Sequence, residues 1–278
     1  MKIIADSGST KTHWCLTTAS GQFSEFYSDG INPMLQSVEA IEQSISNQFL
    51  PQIAHLLWVG PVTDIYFYGA GCTPEKKVIV EQVLQHIFKK AHVEVASDML
   101  GAARGLFGHA AGVACILGTG SGSCFYDGER IAWAVPSLGY VLGDEGSAAT
   151  LGKRLVGDVL KNQLGADIKD LFLRETDLTQ AAILDHVYKQ PFPNRWLANL
   201  ARFCAAHLDI PAVRQMVYDH FESFVVRNLD QYEDKRVGCV GSVAYYYREI
   251  LESVLTAHGY TLVDVMQDPI QGLRVYHQ

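Results

Sequence analysis

Two stretches of this chain set its architecture: "IIADSGSTKTHWC" at residues 3–15 and "ACILGTGSGSCFY" at residues 114–126. Each is an apolar, strand-like run that breaks into a cluster of Gly, Ser and Thr and resumes as a second strand. The elements after each stretch are alike as well. The first stretch leads into a strand in "GQFSEFYS", turning at Ser20-Gly21, a helix over about Ser37–Phe49 and the strand "DIYFYGAG". The amphipathic helix "PEKKVIVEQVLQHIFKK", the strand "HVEVASD" and the small-residue helix "MLGAARGLF" complete that half. The second leads into a strand in "ERIAWAV", a helical stretch over roughly 145–230, the strand "RVGCVGSV", a helix over about 244–258 and the strand "YTLVDVMQ". Three strands, helix, strand, helix, strand occurs twice, a duplication of structure rather than of letters. The alternation predicts an α/β protein, and the three-strand meander that heads each half predicts mixed rather than parallel sheets. No Pro/Gly/Ser-rich linker separates the halves, so the join is predicted as a short hinge near 105–112, where "GLFGHAAG" supplies three glycines.

The first glycine cluster carries a carboxylate, Asp6, a flexible backbone point, Gly8, and the side-chain donors Ser9, Thr10, Lys11 and Thr12. A hairpin turn explains such a cluster on its own. The same mixture also suits a nucleotide phosphate and its magnesium ion. Two familiar phosphate loops are excluded. The sequence GxxxxGK[ST] does not occur, since Gly152-Lys153 is followed by Arg154, and Gly118, Gly120 and Gly122 are spaced GxGxG with a strand rather than a helix after them. There remains a pair of loops at equivalent places in a duplicated chain, each with backbone N–H groups free to meet an anion. The pairing favours phosphate over two unrelated hairpins.

Other function classes are set aside by composition. The net charge is -8 with the basic residues scattered, so no nucleic-acid groove is expected. No apolar run approaches the ~20 residues of a membrane span, and the N-terminus does not read as a signal peptide. The six cysteines form no CxxC pair and most lie in apolar runs, which predicts buried reduced thiols and a cytoplasmic setting. The ten histidines show no metal-binding spacing. Asp98, between a strand and "MLGAARGLF", reads by itself as a helix cap before Met99. Asp144 and Glu145 would cap the helix that follows Gly146, although an acidic pair beside two glycines is also placed to meet a ligand.

"DSGSTKT", "GTGSGS" and "VGSVA" resemble the first phosphate, second phosphate and adenosine motifs of the actin-like ATPase superfamily. "SDMLGAARGL" and above all "GYVLGDEGSAATLGKRLV" resemble the N-acetylglucosamine kinase family, also described as BadF/BadG-type ATPases. The resemblance runs in order from residue 2 to about 272. It implies a duplicated ribonuclease H-like fold, two domains with mixed sheets flanking a nucleotide cleft. These are an N-terminal domain over 1–108 and a C-terminal domain over 109–278, whose last ten or so residues are able to pack back on the first. ATP and Mg²⁺ are the implied cofactors and a small amino sugar the implied substrate, with no nucleic-acid or membrane partner and a homodimer left open.

Carried over by position, the family roles place Asp6 at the metal and Gly8, Ser9, Thr10, Lys11 and Thr12 around the outer phosphates. Gly118, Thr119, Gly120 and Ser121 close over those phosphates, and Gly241 and Ser242 bound the adenosine. Asp98 becomes the catalytic base. Asn32, in "DGINPML", matches the asparagine that contacts the sugar, with Gly139 and Asp144 also on the sugar side and Asp144 within reach of the metal. This chain has Gly122 where the family often has an asparagine reaching the acetamido group. The implied reaction is ATP-dependent phosphorylation of an N-acetylated amino sugar, N-acetylglucosamine at its 6-hydroxyl first. N-Acetylmuramic acid in cell-wall salvage is an alternative. Another is the activator ATPase of a 2-hydroxyacyl-CoA dehydratase-type system, whose cluster cysteines have no clear match in Cys204 and Cys239.

Overall fold

The structure, a computed structural model, describes residues 1–8 and 10–278. These fall into two compact units: 1–111 with 127–131 and 268–278, and 112–126 with 132–267.

In the first unit the strand β1 (Lys2–Ser7) pairs antiparallel with β2 (Lys11–Thr17), and β2 pairs antiparallel with β3 (Phe23–Asp29). The chain then forms α1 (Val38–Ser44), a wide helical turn over Ile45–Phe49, and α2 (Leu50–Ile53). β4 (Asp64–Gly69) returns parallel to β1, and α3 (Lys77–Ile87) leads to β5 (His92–Ser97), parallel to β4. The helix α4 (Asp98–Phe107) follows without a loop. The sheet order is β3-β2-β1-β4-β5. One face packs on α1 and α3 through Ile3, Ala5, Trp14, Phe49, Phe67, Val80 and Leu84, all essentially buried. Trp14 stacks on Phe49 with ring centres 4.1 Å apart and donates its indole N–H to Ser28 Oγ at 2.9 Å, so the core's largest side chain leaves no polar atom unpaired.

The second unit repeats the plan. β6 (Gly112–Leu117) pairs antiparallel with β7 (Ser121–Tyr126), and β8 (Ile131–Val135) follows at the edge. The helices α5 (Gly139–Leu142), α6 (Ala148–Leu160), α7 (Ala166–Thr176), α8 (Gln180–Tyr188), α9 (Pro193–Ala206) and α10 (Pro211–Phe224) come next. A wide turn at Val225–Leu229 extends α10. β9 (Arg236–Val240) runs parallel to β6. The short α11 (Ser242–Tyr246) and α12 (Arg248–Ala257) lead to β10 (Thr261–Met266), parallel to β9. The order β8-β7-β6-β9-β10 matches the first sheet strand for strand. That identity is the structural form of the duplication read from the sequence.

The last helix, α13 (Ile270–Tyr276), belongs to the first unit. The sequence pattern predicts no element for this segment. Ile270 and Leu273 bury against Ile4, Cys15 and Tyr68 on the sheet face opposite α1 and α3. Around them Tyr68 Oη meets His277 Nε2 at 2.8 Å, Arg104 donates to Tyr68 Oη at 2.8 Å, and the His277 ring stacks on Tyr66 at 3.6 Å. All six cysteines are free and buried, as their apolar surroundings predict. Among the described residues no helix is long and apolar enough to cross a membrane.

Candidate active site

The first glycine loop joins β1 to β2 with Gly8 N–H donating to the Lys11 carbonyl at 3.0 Å. Its foot is fixed by side chains. Ser7 Oγ and Thr12 Oγ1 meet at 2.7 Å, Thr12 Oγ1 donates to the Asp29 carbonyl at 3.0 Å, and Ser7 Oγ accepts from Ile31 N–H at 2.9 Å. Thr12 is fully buried. Its hydroxyl is thus committed inward, so Thr12 shapes the loop rather than offering a donor to a ligand. Thr10 and Lys11 are exposed, and Lys11 Nζ lies 5.3 Å from the Tyr27 ring centre. Ser9 lies outside the described residues.

Asp6 sits one residue before this loop, half-buried, at the head of an acidic group. Burial, then the Asp98 and Asp268 carboxylates, push its pKa up to about 7, against the opposing pull of His13 and Lys11. Asp98 is the first residue of α4. Its Oδ1 accepts the Met99 N–H at 2.9 Å, and burial raises its pKa against that bond. The helix cap is not Asp98 but Ser97, whose Oγ accepts the Leu100 N–H at 3.2 Å. The capping role that explained Asp98 in the sequence is already filled. His13 is buried opposite Asp6 in the β1–β2 register, stacked on Tyr27, with Asp268 3.3 Å from its Nδ1.

Asn32 belongs to the same unit. Its Oδ1 accepts the Met34 N–H at 2.9 Å, its backbone N–H donates to Gln36 Oε1 at 2.7 Å, and it packs against Gly71 in the turn after β4. Cys72, in that turn, is pushed up to about 12 by burial and then by the charge of Asp98. The turn over 69–72 therefore lies near both Asn32 and Asp98.

In the second unit the loop after β6 and the turn before α6 form one hydrogen-bonded assembly. The first N–H groups of α6 are turned onto the loop: Ala148 N–H donates to the Gly118 carbonyl at 2.8 Å and Ala149 N–H to that of Thr119 at 3.2 Å. Ser121 Oγ donates to the Glu145 carbonyl at 2.6 Å, and Thr150 Oγ1 to the Asp144 carbonyl at 2.6 Å. Ser147 caps α6 through Thr150 N–H. A Cβ built on Gly120 would lie 3.1 Å from Asp144 Oδ2, so the Asp144 carboxylate lies over the loop. Burial raises its pKa, the Ser121 backbone N–H opposes, and Glu145 adds to the rise. Asp144 takes a left-handed φ of 57°, and Gly146 takes φ 81°.

Gly241 opens α11 at φ 122°, and any Cβ there would run into the Leu117 carbonyl. Glycine alone lets this turn lie against the start of the phosphate-type loop. Ser242, beside it, is exposed. Glu145 is paired with Arg227 at 2.5 Å, and a cavity of about 210 Å³ opens between Val135, Pro136, Leu138, Leu142, Asp144 and Arg227. Gly139 lies in the short helix beside that cavity, at φ 74°. Sequence reasoning missed Arg227, His13 and Asp268. Each is a single charged or titratable residue inside an otherwise ordinary helix, strand or turn, joined to its partner only by the fold.

This architecture is that of the actin-like ATPases. The chain matches a ROK family glucokinase from Streptomyces griseus in complex with glucose and AMPPNP over 99% of its length and 97% of that chain, with a TM-score of 0.55 and 14% identity. It also matches a "putative N-acetylglucosamine kinase" from Chromobacterium violaceum over 100% of its length and 98% of that chain, with a TM-score of 0.76 and 18% identity. These two likenesses concern the fold alone. A second structure described as a "putative N-acetylglucosamine kinase", from Porphyromonas gingivalis, is 45% identical, with a TM-score of 0.96 over 100% of this chain and 98% of that one. The chain belongs to the N-acetylglucosamine kinase family of ATP-dependent sugar kinases. No family model and no curated protein matches it.

Proposed function

We propose that this kinase transfers the γ-phosphoryl group of ATP to an N-acetylated amino sugar, with N-acetylglucosamine and its 6-hydroxyl as the first choice and N-acetylmuramic acid as the second. The observation that carries the proposal is Asp98. It stands where β5 passes into α4, Ser97 does the capping, and burial raises the carboxylate's proton affinity. A carboxylate so placed is suited to take the proton of an attacking hydroxyl.

The other roles follow from position. Gly8, Thr10 and Lys11 on the first loop, and Gly118, Thr119, Gly120 and Ser121 on the second, hold the phosphates. Gly241 and Ser242 bound the adenosine. Asn32, Gly139 and Asp144 hold the sugar, and the cavity beside Asp144 and Arg227 mixes polar groups with Val135, Pro136, Leu138 and Leu142, which could meet an acetamido methyl group. Magnesium, when bound, neutralises charge on the phosphates. Among the described residues no set of three or more His, Cys, Asp or Glu side chains is arranged around one ion position. Magnesium bound with a nucleotide needs only one or two carboxylates, the rest of its shell being phosphate oxygen and water. Asp6, crowded by Asp98 and Asp268, fits that demand, and Asp144 is the second carboxylate available. The dehydratase-activator alternative is disfavoured, because Cys204 and Cys239 are both fully buried and out of reach of a shared cluster.

The test is Asp98→Asn, assayed for turnover of both sugars alongside calorimetric binding and a melting curve. With Ser97 still capping α4 and a buried charge removed beside Asp6, the melting temperature should hold or rise, while kcat falls by about 10²–10⁴ and ligand affinity is retained. A folded variant that binds and turns over either sugar within a few-fold of the parent would remove Asp98 from the chemistry.

A further inference from the structure

We infer that His220 is a positioning residue for the phosphate-binding loop over 118–121, acting through the turn over 144–147. The inference rests on the proposed nucleotide role of that loop. His220 is buried on α10, and its Nε2 lies 3.0 Å from the Ser147 carbonyl. A carbonyl only accepts, so Nε2 carries the proton and the tautomer is fixed. Burial pushes the imidazole pKa down to about 4, with Arg154 working the same way, so the ring is neutral near pH 7.

One helical turn further on, Phe224 packs behind Gly146, where an added Cβ would lie 2.9 Å from the ring. His220 and Phe224 are thus spaced i, i+4 on one face of α10, and both back the same turn. Arg154 of α6 ties α10 down a second time through Asp219 at 3.0 Å. From Ser147 the linkage to the loop is short. Ser147 caps α6, and the next two N–H groups of that helix hold the carbonyls of Gly118 and Thr119. The Asp144 carbonyl takes the Thr150 hydroxyl, and the Glu145 carbonyl takes that of Ser121. A shift of Ser147 therefore moves the loop carbonyls with it and re-aims the N–H groups between them. Nothing else in the catalytic proposal uses His220, yet a neutral, tautomer-fixed imidazole is a costly way merely to fill a core position that leucine would fill.

The test compares His220→Gln, whose amide nitrogen reproduces the Nε2 donor, with His220→Leu, which fills the space without a donor. The full chain is titrated calorimetrically with ADP and magnesium, and amide hydrogen exchange is followed over 117–122 and 143–150. His220→Leu should lose about tenfold in ADP affinity and exchange faster in those two segments only, whereas His220→Gln stays within about threefold of the parent. A folded His220→Leu that binds ADP within twofold would overturn the inference, as would faster exchange spread evenly over the second unit. If His220→Leu does not fold, His220→Asn replaces it. Its amide is too short to reach Ser147, so ADP affinity equal to that of His220→Gln would again overturn the inference. ADP binding is read with no sugar present. A parent protein that binds ADP but phosphorylates no amino sugar would defeat the proposed function and leave the role of His220 still decided by these variants.

Discussion

Replacing Asp6 with asparagine should make the unliganded protein more stable at pH 8. The carboxylate is raised from an ordinary 3.8 to about 7, first by burial and then by Asp98 and Asp268. Between those two values the native state binds a proton that the unfolded chain has released, so stability falls as pH rises through the window. Above the native value both states are ionised and the penalty is complete. Below about pH 3.8 both are protonated and it vanishes. At about 1.4 kcal/mol for each tenfold change in proton affinity, the ceiling is about 4 kcal/mol. Asp98 and Asp268 share the same acidic neighbourhood and relax when one charge is removed, which brings the expected gain to about 1–2 kcal/mol, or roughly 3–6 °C in melting temperature. The assay is a pair of melting curves at pH 8 and near pH 3.5, with a chelator to remove divalent ions. The variant should melt higher at pH 8 and level with the parent at the acid end, while its magnesium-dependent turnover is lost. Equal melting at pH 8, or a variant that melts lower there, would refute the argument that this carboxylate is held ionised at a cost recovered by a cation.

Gly241→Ala should weaken ADP binding at least about tenfold and lower stability by about 2 kcal/mol or more, because the new Cβ meets the Leu117 carbonyl at a left-handed φ; calorimetry and melting read both. Arg227→Ala should raise KM for the sugar several-fold with ATP binding little changed, since it leaves Glu145 unpaired beside the cavity; steady-state kinetics with each substrate varied in turn separates the two.

Much of this fold was legible because hydrophobic periodicity and glycine punctuation act locally. The two meanders and the strands that follow them reappear as two sheets of identical order. Other features were not legible, each for a stated reason. Ser97 and Asp98 are both good capping residues, and pattern alone cannot place a helix start within one residue, so the cap was assigned to the wrong neighbour. Thr12 looks like Thr10 in the sequence, but strand pairing turns its hydroxyl inward to Asp29. The helix Ile270–Tyr276 is too short to declare itself and is held by Ile4, Cys15 and Tyr68 rather than by propensity. The bonds from His220 to Ser147 and from Arg227 to Glu145 join residues far apart in the chain, where no spacing rule applies.

The measurement that bears most directly on the central claim is the product of the reaction itself. The purified chain is incubated with ATP, magnesium and N-acetylglucosamine, then with N-acetylmuramic acid, and the products are read by phosphorus and proton NMR. Stoichiometric ADP is expected, with a phosphomonoester on the sugar coupled to the C6 protons of N-acetylglucosamine. Release of inorganic phosphate with the sugar recovered unmodified, from a protein that binds both ligands, would contradict it.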